Sequence, residues 1–147
     1  MQSLLTEVRL YIYGQMIATS AAPDVSDTAA ALGHGVQEVE HAYRTLAEQK
    51  ALVLRPGTNT VWMVMPFSNM QTAFTVICDS RAYYANCAWD AFGIPAVLER
   101  DACIFTTCAD CGGVLQRKVT CGQLTDARGV VHFALPVRRW WDDVGFT

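Results

Sequence analysis

Over the first fifty positions the apolar residues return every three or four places, and the elements follow from that spacing. Leu4, Leu5, Val8, Tyr11 and Ile12 fall on one face of a helix, with Glu7 and Arg9 set inside the apolar stretch. Pro23 ends that segment, Ser26 is placed to cap a short second helix through Leu32, and Gly33 is placed to stop it. A third helix begins near Gly35 and carries Val36, Val39, Tyr43 and Leu46 along one face. The period then changes. ALVLR and TVWMVM, joined by the turn-prone PGTN, predict an up-and-back strand pair. Helix, short helix, turn, helix and hairpin is the order of a winged helix-turn-helix.

From residue 67 the alternation is that of strands. TAFTVIC reads as a half-buried strand, DSR turns it and AYYAN runs back. Beyond the segment around Cys87, ACIFTT, VLQRKVT and VVHFALP predict three more strands, joined by CADCGG and GQLTDARG. The expected class is therefore α+β. Residues 1–66 form a winged-helix-like subdomain, packed on a mostly antiparallel sheet with one embedded helix in residues 67–147. The boundary near Pro66 is too short for a flexible linker, and no internal repeat or low-complexity tract interrupts either part.

Composition narrows the function. The 147 residues are 52% hydrophobic and 17% charged, enough to bury a core and too apolar for a disordered chain. The net charge of −3 argues against a nucleic-acid binder that relies on phosphate contacts. Within residues 1–66 six acidic side chains (Glu7, Asp24, Asp27, Glu38, Glu40, Glu48) stand against four basic ones (Arg9, Arg44, Lys50, Arg55), a net of −2. A recognition helix in the major groove needs the opposite balance, so packing or homodimerisation is the expected use of this subdomain. No apolar run approaches the ~18 residues of a membrane span. The amino terminus lacks the basic leader of a signal peptide, so the expected compartment is cytoplasmic, where cysteines stay reduced. The six cysteines are then metal ligands, catalytic thiols or small core residues rather than disulfides.

The candidate chemistry lies in YYANCAWDAFGIP. With Asn86 as the cap of a helix, Cys87 sits in its first turn, where free N–H groups and the helix dipole lower a thiol pKa from its usual ~8.5. Asp90, three residues on, shares that face. Tyr83, Tyr84, Trp89 and Phe92 make the surroundings dry, which tends to keep a carboxyl protonated. A soft nucleophile or metal ligand beside a proton carrier suits a reaction in which sulfur takes one group while a neighbouring atom receives a proton. The same spacing equally suits a buried cysteine next to a helix-capping aspartate. Elsewhere, Cys108 and Cys111 have the C-x-x-C spacing of a metal knuckle, with Cys103 and Cys121 as the in-sequence candidates to complete a zinc site. A metal-free turn is the alternative there. Cys78 is expected in the core of its strand. His34 and His41 are expected in solvent, His132 half-buried or lining the pocket, and Trp140 and Trp141 anchoring the C-terminal segment. Asp142 and Asp143 form a solvated pair or turn, and Arg138 and Arg139 could bind an anionic group.

The run ANCAWDAFGIPAVLERDA, with PFSNMQTAF before it and VHFALPVRRWWDDVGFT after it, resembles the alkylmercury (organomercurial) lyase family over nearly the whole chain. The resemblance implies an enzyme that breaks a carbon–mercury bond. Cys87 would be the mercury ligand and Asp90 the proton relay, and thiolate is the ligand a soft metal selects. It also implies a structural role for Cys108 and a second catalytic cysteine directly after Gly145-Phe146-Thr147, a position these 147 residues do not reach. Cys103, Cys108 or Cys111 could take that thiol's place. No cofactor is required, Hg(II) being substrate or product metal. The expected partners are a small-molecule substrate and small thiols or a thiol-bearing acceptor protein, with neither nucleic acid nor membrane. Two other functions fit the same residues: a sulfur-carrying or sulfur-inserting thiol enzyme using Cys87 and Asp90, and a non-enzymatic metal-binding module using Cys108 and Cys111.

Overall fold

The computed structural model describes residues 2–145. The chain divides after Met70 into two compact units, and the α+β class stands in both. No helix among the described residues is long and apolar enough to cross a membrane.

The first unit begins with α1 (Gln2–Thr19), α2 (Val25–Leu32) and α3 (Val36–Glu48). Val8, Ile12 and Met16, four apart on α1, are buried, as are Val39, Ala42, Tyr43 and Leu46 of α3; this is the stripe an i, i+4 spacing produces. Val36 departs from the expected face, being 51% exposed at the first residue of α3, where the helix has only begun to turn inward. The cap of α2 is also corrected. Asp24 holds it, its carboxylate accepting the Asp27 N–H at 2.8 Å, and Ser26 lies inside the helix and donates its hydroxyl to the same carboxylate. Gly33 closes α2 at φ 70, the left-handed conformation that glycine adopts without strain. Three antiparallel strands follow, β1 (Val53–Leu54), β2 (Val61–Val64) and β3 (Phe67–Ser68), with β2 in the middle. The hairpin is the expected one. β3 is additional, and its two residues are too few to leave a period in the sequence, although both are buried.

The second unit runs β4 (Phe74–Cys78), β5 (Arg81–Ala85), α4 (Ala88–Leu98), β6 (Ala102–Thr107), β7 (Val114–Thr120) and β8 (Gln123–Leu124). Its strands are antiparallel in the order β5-β4-β6-β7-β8. Alternate residues on one side are buried: Val76 and Cys78, Tyr83 and Ala85, Ala102 and Ile104, and Val119. α4 packs on β4, β5 and β6 and buries Ala91, Ile94 and Pro95. The strand expected at VVHFALP does not form. Residues 130–136 are irregular, Val130 is 95% exposed, and a single 3-10 turn (Val137–Arg139) follows. β8 takes the edge of β7 instead, out of the segment expected to be a loop. Its hairpin closes through Cys121 and Gly122 at φ 51 and 72, and two left-handed residues are what a tight turn matched to strand twist requires.

Tyr43 ties the first unit together. Its ring is fully buried, and its hydroxyl lies 2.7 Å from the Thr28 hydroxyl and donates to the Pro23 carbonyl at 3.1 Å. Tyr43→Phe leaves those partners buried without it, and should lower the unfolding free energy in urea by about 1–3 kcal/mol at neutral pH. Burial also pushes the phenol from 10.0 up to about 12. The unfolded chain therefore releases this proton first, so the stability held by neutral Tyr43 is intact below pH 10 and lost between 10 and 12. Wild type should lose stability across that window more steeply than Tyr43→Phe; equal slopes would contradict the assignment.

Candidate functional site at the start of helix α4

The site is built where a strand becomes a helix. β5 alternates Tyr83 and Ala85 inward, and the Thr72 hydroxyl donates to the Ala85 carbonyl at 2.6 Å, holding the last strand residue in place. Asn86 leaves the strand. Cys87, with extended backbone at φ −149 and ψ −179, is itself the N-cap of α4, one place later than expected, and Asn86 is not the cap. An N-cap side chain faces the free N–H groups two and three residues on; here those belong to Trp89 and Asp90. Most helices put a hydroxyl or carboxylate in that seat. Here it holds a thiol.

Asp90 sits at the third helical position, where a capping box carries an acidic or amide side chain. Its Oδ2 accepts the Cys87 S–H at 3.6 Å and the Asn86 Nδ2–H at 3.2 Å. Cys87, Asp90 and Asn86 are all half-buried, and all three meet on one carboxylate oxygen. The sequence reading found the first two. Asn86 was visible only as a supposed cap, and Thr72, distant in sequence, carried no signal.

The expected low thiol pKa is overturned. Burial pushes the Cys87 thiol up, and the charge of ionised Asp90 adds to the rise. The backbone N–H groups of Asp90 and Trp89 act the other way, but the sulfur makes no full capping hydrogen bond and desolvation prevails. Burial raises the Asp90 carboxyl too, against the pull of the Asn86 amide and the Cys87 thiol. That direction is the expected one. Two acids raised together, with one hydrogen bond between them, form a pair that retains a proton and can pass it between sulfur and oxygen. The Asn86 Oδ1 is buried and has no hydrogen-bond partner among the described residues, so the amide bonds the carboxylate through its nitrogen alone. Of the aromatic residues expected to dry the site, Tyr83 is buried and Tyr84 and Phe92 are half-buried, whereas Trp89 is 69% exposed and shields little.

The remaining candidates stand apart from this cluster. Cys78 is buried on β4, and its thiol is raised by that burial. Cys108 is half-buried and Cys111 exposed in the β6–β7 turn, Cys103 is half-buried on β6, and Cys121 is exposed at the β7–β8 turn. Among the described residues no three His, Cys, Asp or Glu side chains gather into a metal-binding group, so of the two alternatives at Cys108 and Cys111 the zinc site lacks its further ligands. Cys103 lies on β6 opposite Lys118 and Ile77, and Cys121 follows β7 at the end away from the β6–β7 turn. His34 pairs with Glu7 at 3.1 Å, and His41 is exposed. His132 is exposed rather than lining a pocket, because its strand does not form. Trp140 donates to the Leu135 carbonyl at 3.0 Å and lies 5.0 Å from the Phe133 ring, closing the C-terminal segment on itself, while Trp141 is 41% exposed. Arg139 pairs with Asp142 at 2.9 Å, and Arg138 and Asp143 are exposed. Phe146 and Thr147, next to which the second catalytic cysteine was expected, lie outside the described residues.

Comparison with known proteins bears on the same region. A solved structure described as the crystal structure of the mercury-bound form of MerB2 superposes with a TM-score of 0.67 at 19% identity, over 86% of this chain and 60% of that one. At that identity the likeness establishes the fold, and the chain spans only 60% of the length of its structural counterpart. No curated protein sequence matches significantly. The family model for MerB, alkylmercury lyase, matches residues 67–147, which contain Cys87, Asp90 and the whole second unit. That match covers more than half of the chain, and the protein belongs to the alkylmercury lyase family.

Proposed function

We propose that the protein cleaves the carbon–mercury bond of small organomercurials, with Cys87 capturing the metal and Asp90 moving the proton. The single observation that carries this is the 3.6 Å contact between the Cys87 sulfur and the Asp90 carboxylate at a half-buried helix start. A protonated thiol is a poor nucleophile, but an organomercury cation replaces the thiol proton outright, because the mercury–sulfur bond is far stronger than the interaction it displaces. The proton then needs an acceptor within reach, and Asp90 is the carboxylate already bonded to that S–H.

Written in balance, the Cys87 thiol and the Asp90 carboxylate react with an organomercury thiolate to give Cys87–S–Hg–R and protonated Asp90, releasing the small thiolate. In the second step the electron pair of the carbon–mercury bond takes the Asp90 proton. The hydrocarbon leaves, Asp90 returns to carboxylate, and a thiolate from solution fills the vacated place on mercury. Burial favours both steps: it makes Asp90 a better acceptor of the first proton and holds that proton in a form that carbon can attack. Asn86 holds the carboxylate oxygen against the sulfur throughout. Sulfur transfer is served less well by the same site. A persulfide carrier depends on a free thiolate near neutral pH, and burial moves Cys87 in the opposite direction.

With a simple alkylmercury salt and excess small thiol, purified protein should release the hydrocarbon, measurable in the headspace. Asp90→Asn should still bind mercury but lose release by about 10²–10⁴-fold, the usual worth of a positioned proton donor. Cys87→Ser should lose tight capture as well. Equal hydrocarbon release by wild type and Asp90→Asn would remove the relay role. Proton sharing has its own readout in the rate of Cys87 alkylation by iodoacetamide against pH. In wild type the midpoint should lie above the ~8.5 of a free thiol, and Asp90→Asn, which removes the neighbouring negative charge, should lower it. A wild-type midpoint below that of free cysteine would show that the helix amides dominate after all.

A further inference from the structure

The six-residue turn between β6 and β7, Cys108-Ala109-Asp110-Cys111-Gly112-Gly113, takes no part in the chemistry at Cys87. Its backbone is nevertheless tightly organised. The Cys108 N–H donates to the Gly113 carbonyl at 2.8 Å, and the Gly112 N–H donates back to the Cys108 carbonyl at 2.9 Å. Gly112 adopts the left-handed conformation at φ 69, which a side chain there would strain. The closed turn brings Cys111 back toward Cys108, and the Cys111 and Asp110 amides and the Cys111 thiol lie near enough to hold the Cys108 thiol below its ordinary pKa. The Cys111 sulfur lies over Gly113, where an added Cβ would come within 3.4 Å of it. Absence of that Cβ leaves the sulfur room to move. Cys111 is exposed, so an ion in solution reaches the pair directly.

Two thiols held side by side with no third donor among the described residues suit neither zinc nor any other ion that needs four ligands. They suit a soft d10 ion content with two sulfurs in line. We propose that Cys108 and Cys111 form a second soft-metal site, a dithiolate clamp that takes inorganic Hg(II) from small thiols independently of Cys87. The choice of mercury among the soft ions rests on the function proposed above; the two-sulfur geometry does not. The exchange is balanced without redox chemistry. Hg(II) bound by two small thiolates passes to the two cysteine sulfurs, and the two thiol protons leave on the released small thiols. A single cysteine competes for Hg(II) on equal terms with a small thiol, whereas the second sulfur of a preformed pair acts at an effective concentration in the millimolar range or above.

The test uses the full chain carrying Cys87→Ser, loaded with one equivalent of mercuric chloride, challenged with excess glutathione, desalted and analysed for mercury per chain. Retention of close to one ion is expected. Adding Cys111→Ser, an exposed change that leaves the turn's backbone bonds intact, should reduce retention by about tenfold or more, and Cys108→Ser should do the same. Adding Cys121→Ser should leave it unchanged. The proposal is overturned by a Cys87→Ser chain that gives up its mercury to glutathione, and equally by retention that survives Cys111→Ser. Hydrocarbon release plays no part in this measurement. Loss of the clamp with release intact would overturn this inference alone, and a retained clamp without release would overturn only the lyase reading.

Discussion

Two acids are half-buried side by side at the start of one helix, and the rest of the site follows from that constraint. Removing Cys87 and Asp90 from solvent penalises their charged forms, so both groups hold protons more tightly than their free counterparts. The N-terminus of a helix ordinarily works the other way, since its free amides and dipole favour negative charge. In this molecule the amides of Trp89 and Asp90 do favour the thiolate, but they are outweighed. What remains is neither a permanently activated thiolate nor an inert core cysteine. It is a proton-bearing pair, with the Cys87 thiol hydrogen-bonded to the Asp90 carboxylate.

The fold creates this arrangement economically. A strand ending at Ala85 and a helix starting at Ala88 leave two residues to make the junction, and Cys87 falls in the capping seat between them. Cysteine at the cap and aspartate three residues on occupy the two seats of a capping box, but the bond between them runs from sulfur to carboxylate and no side-chain cap bond to the backbone forms. The reading of the motif as a helix cap and its reading as a reactive pair therefore describe one geometry. Capping brings the acid to the sulfur, burial by α4 against β4, β5 and β6 supplies the dry surroundings, and Asn86 and Thr72 fix the approach of the chain.

Much of this was legible in the sequence. The periodicities that mark α1, α3, β4, β5, β6 and β7 are strong because each element buries one face, and the C-x-x-D spacing at Cys87 was enough to expect Asp90 beside it, which the 3.6 Å contact bears out as geometry. The misses share a physical cause. Two-residue strands such as β3 and β8 are made by hydrogen-bonding partners rather than by pattern, so Phe67–Ser68 and Gln123–Leu124 leave no period to read. VVHFALP has the alternation of a strand, but its residues pair with no other strand among the described residues and Val130 stands in solvent, so the pattern has no face to bury. Asp24 holds the cap two residues before the expected Ser26, and Cys87 holds the other cap one residue after the expected Asn86. The sign of the thiol shift could not be read at all. It depends on how far burial exceeds amide stabilisation, a balance that spacing does not encode.

The central claim is that burial raises the Asp90 carboxyl above the ordinary aspartate range, so that it takes up the proton Cys87 gives up and can pass it on. A carbon-13 NMR titration of the aspartate side chains, with Asp90 assigned by the signal missing in Asp90→Asn, measures this directly. The account requires Asp90 to titrate clearly above the ~3.9 of a free aspartate. A midpoint at or below that value would mean that hydrogen bonds from Asn86 and Cys87 outweigh desolvation, and that the carboxylate is no better a proton acceptor than a free aspartate.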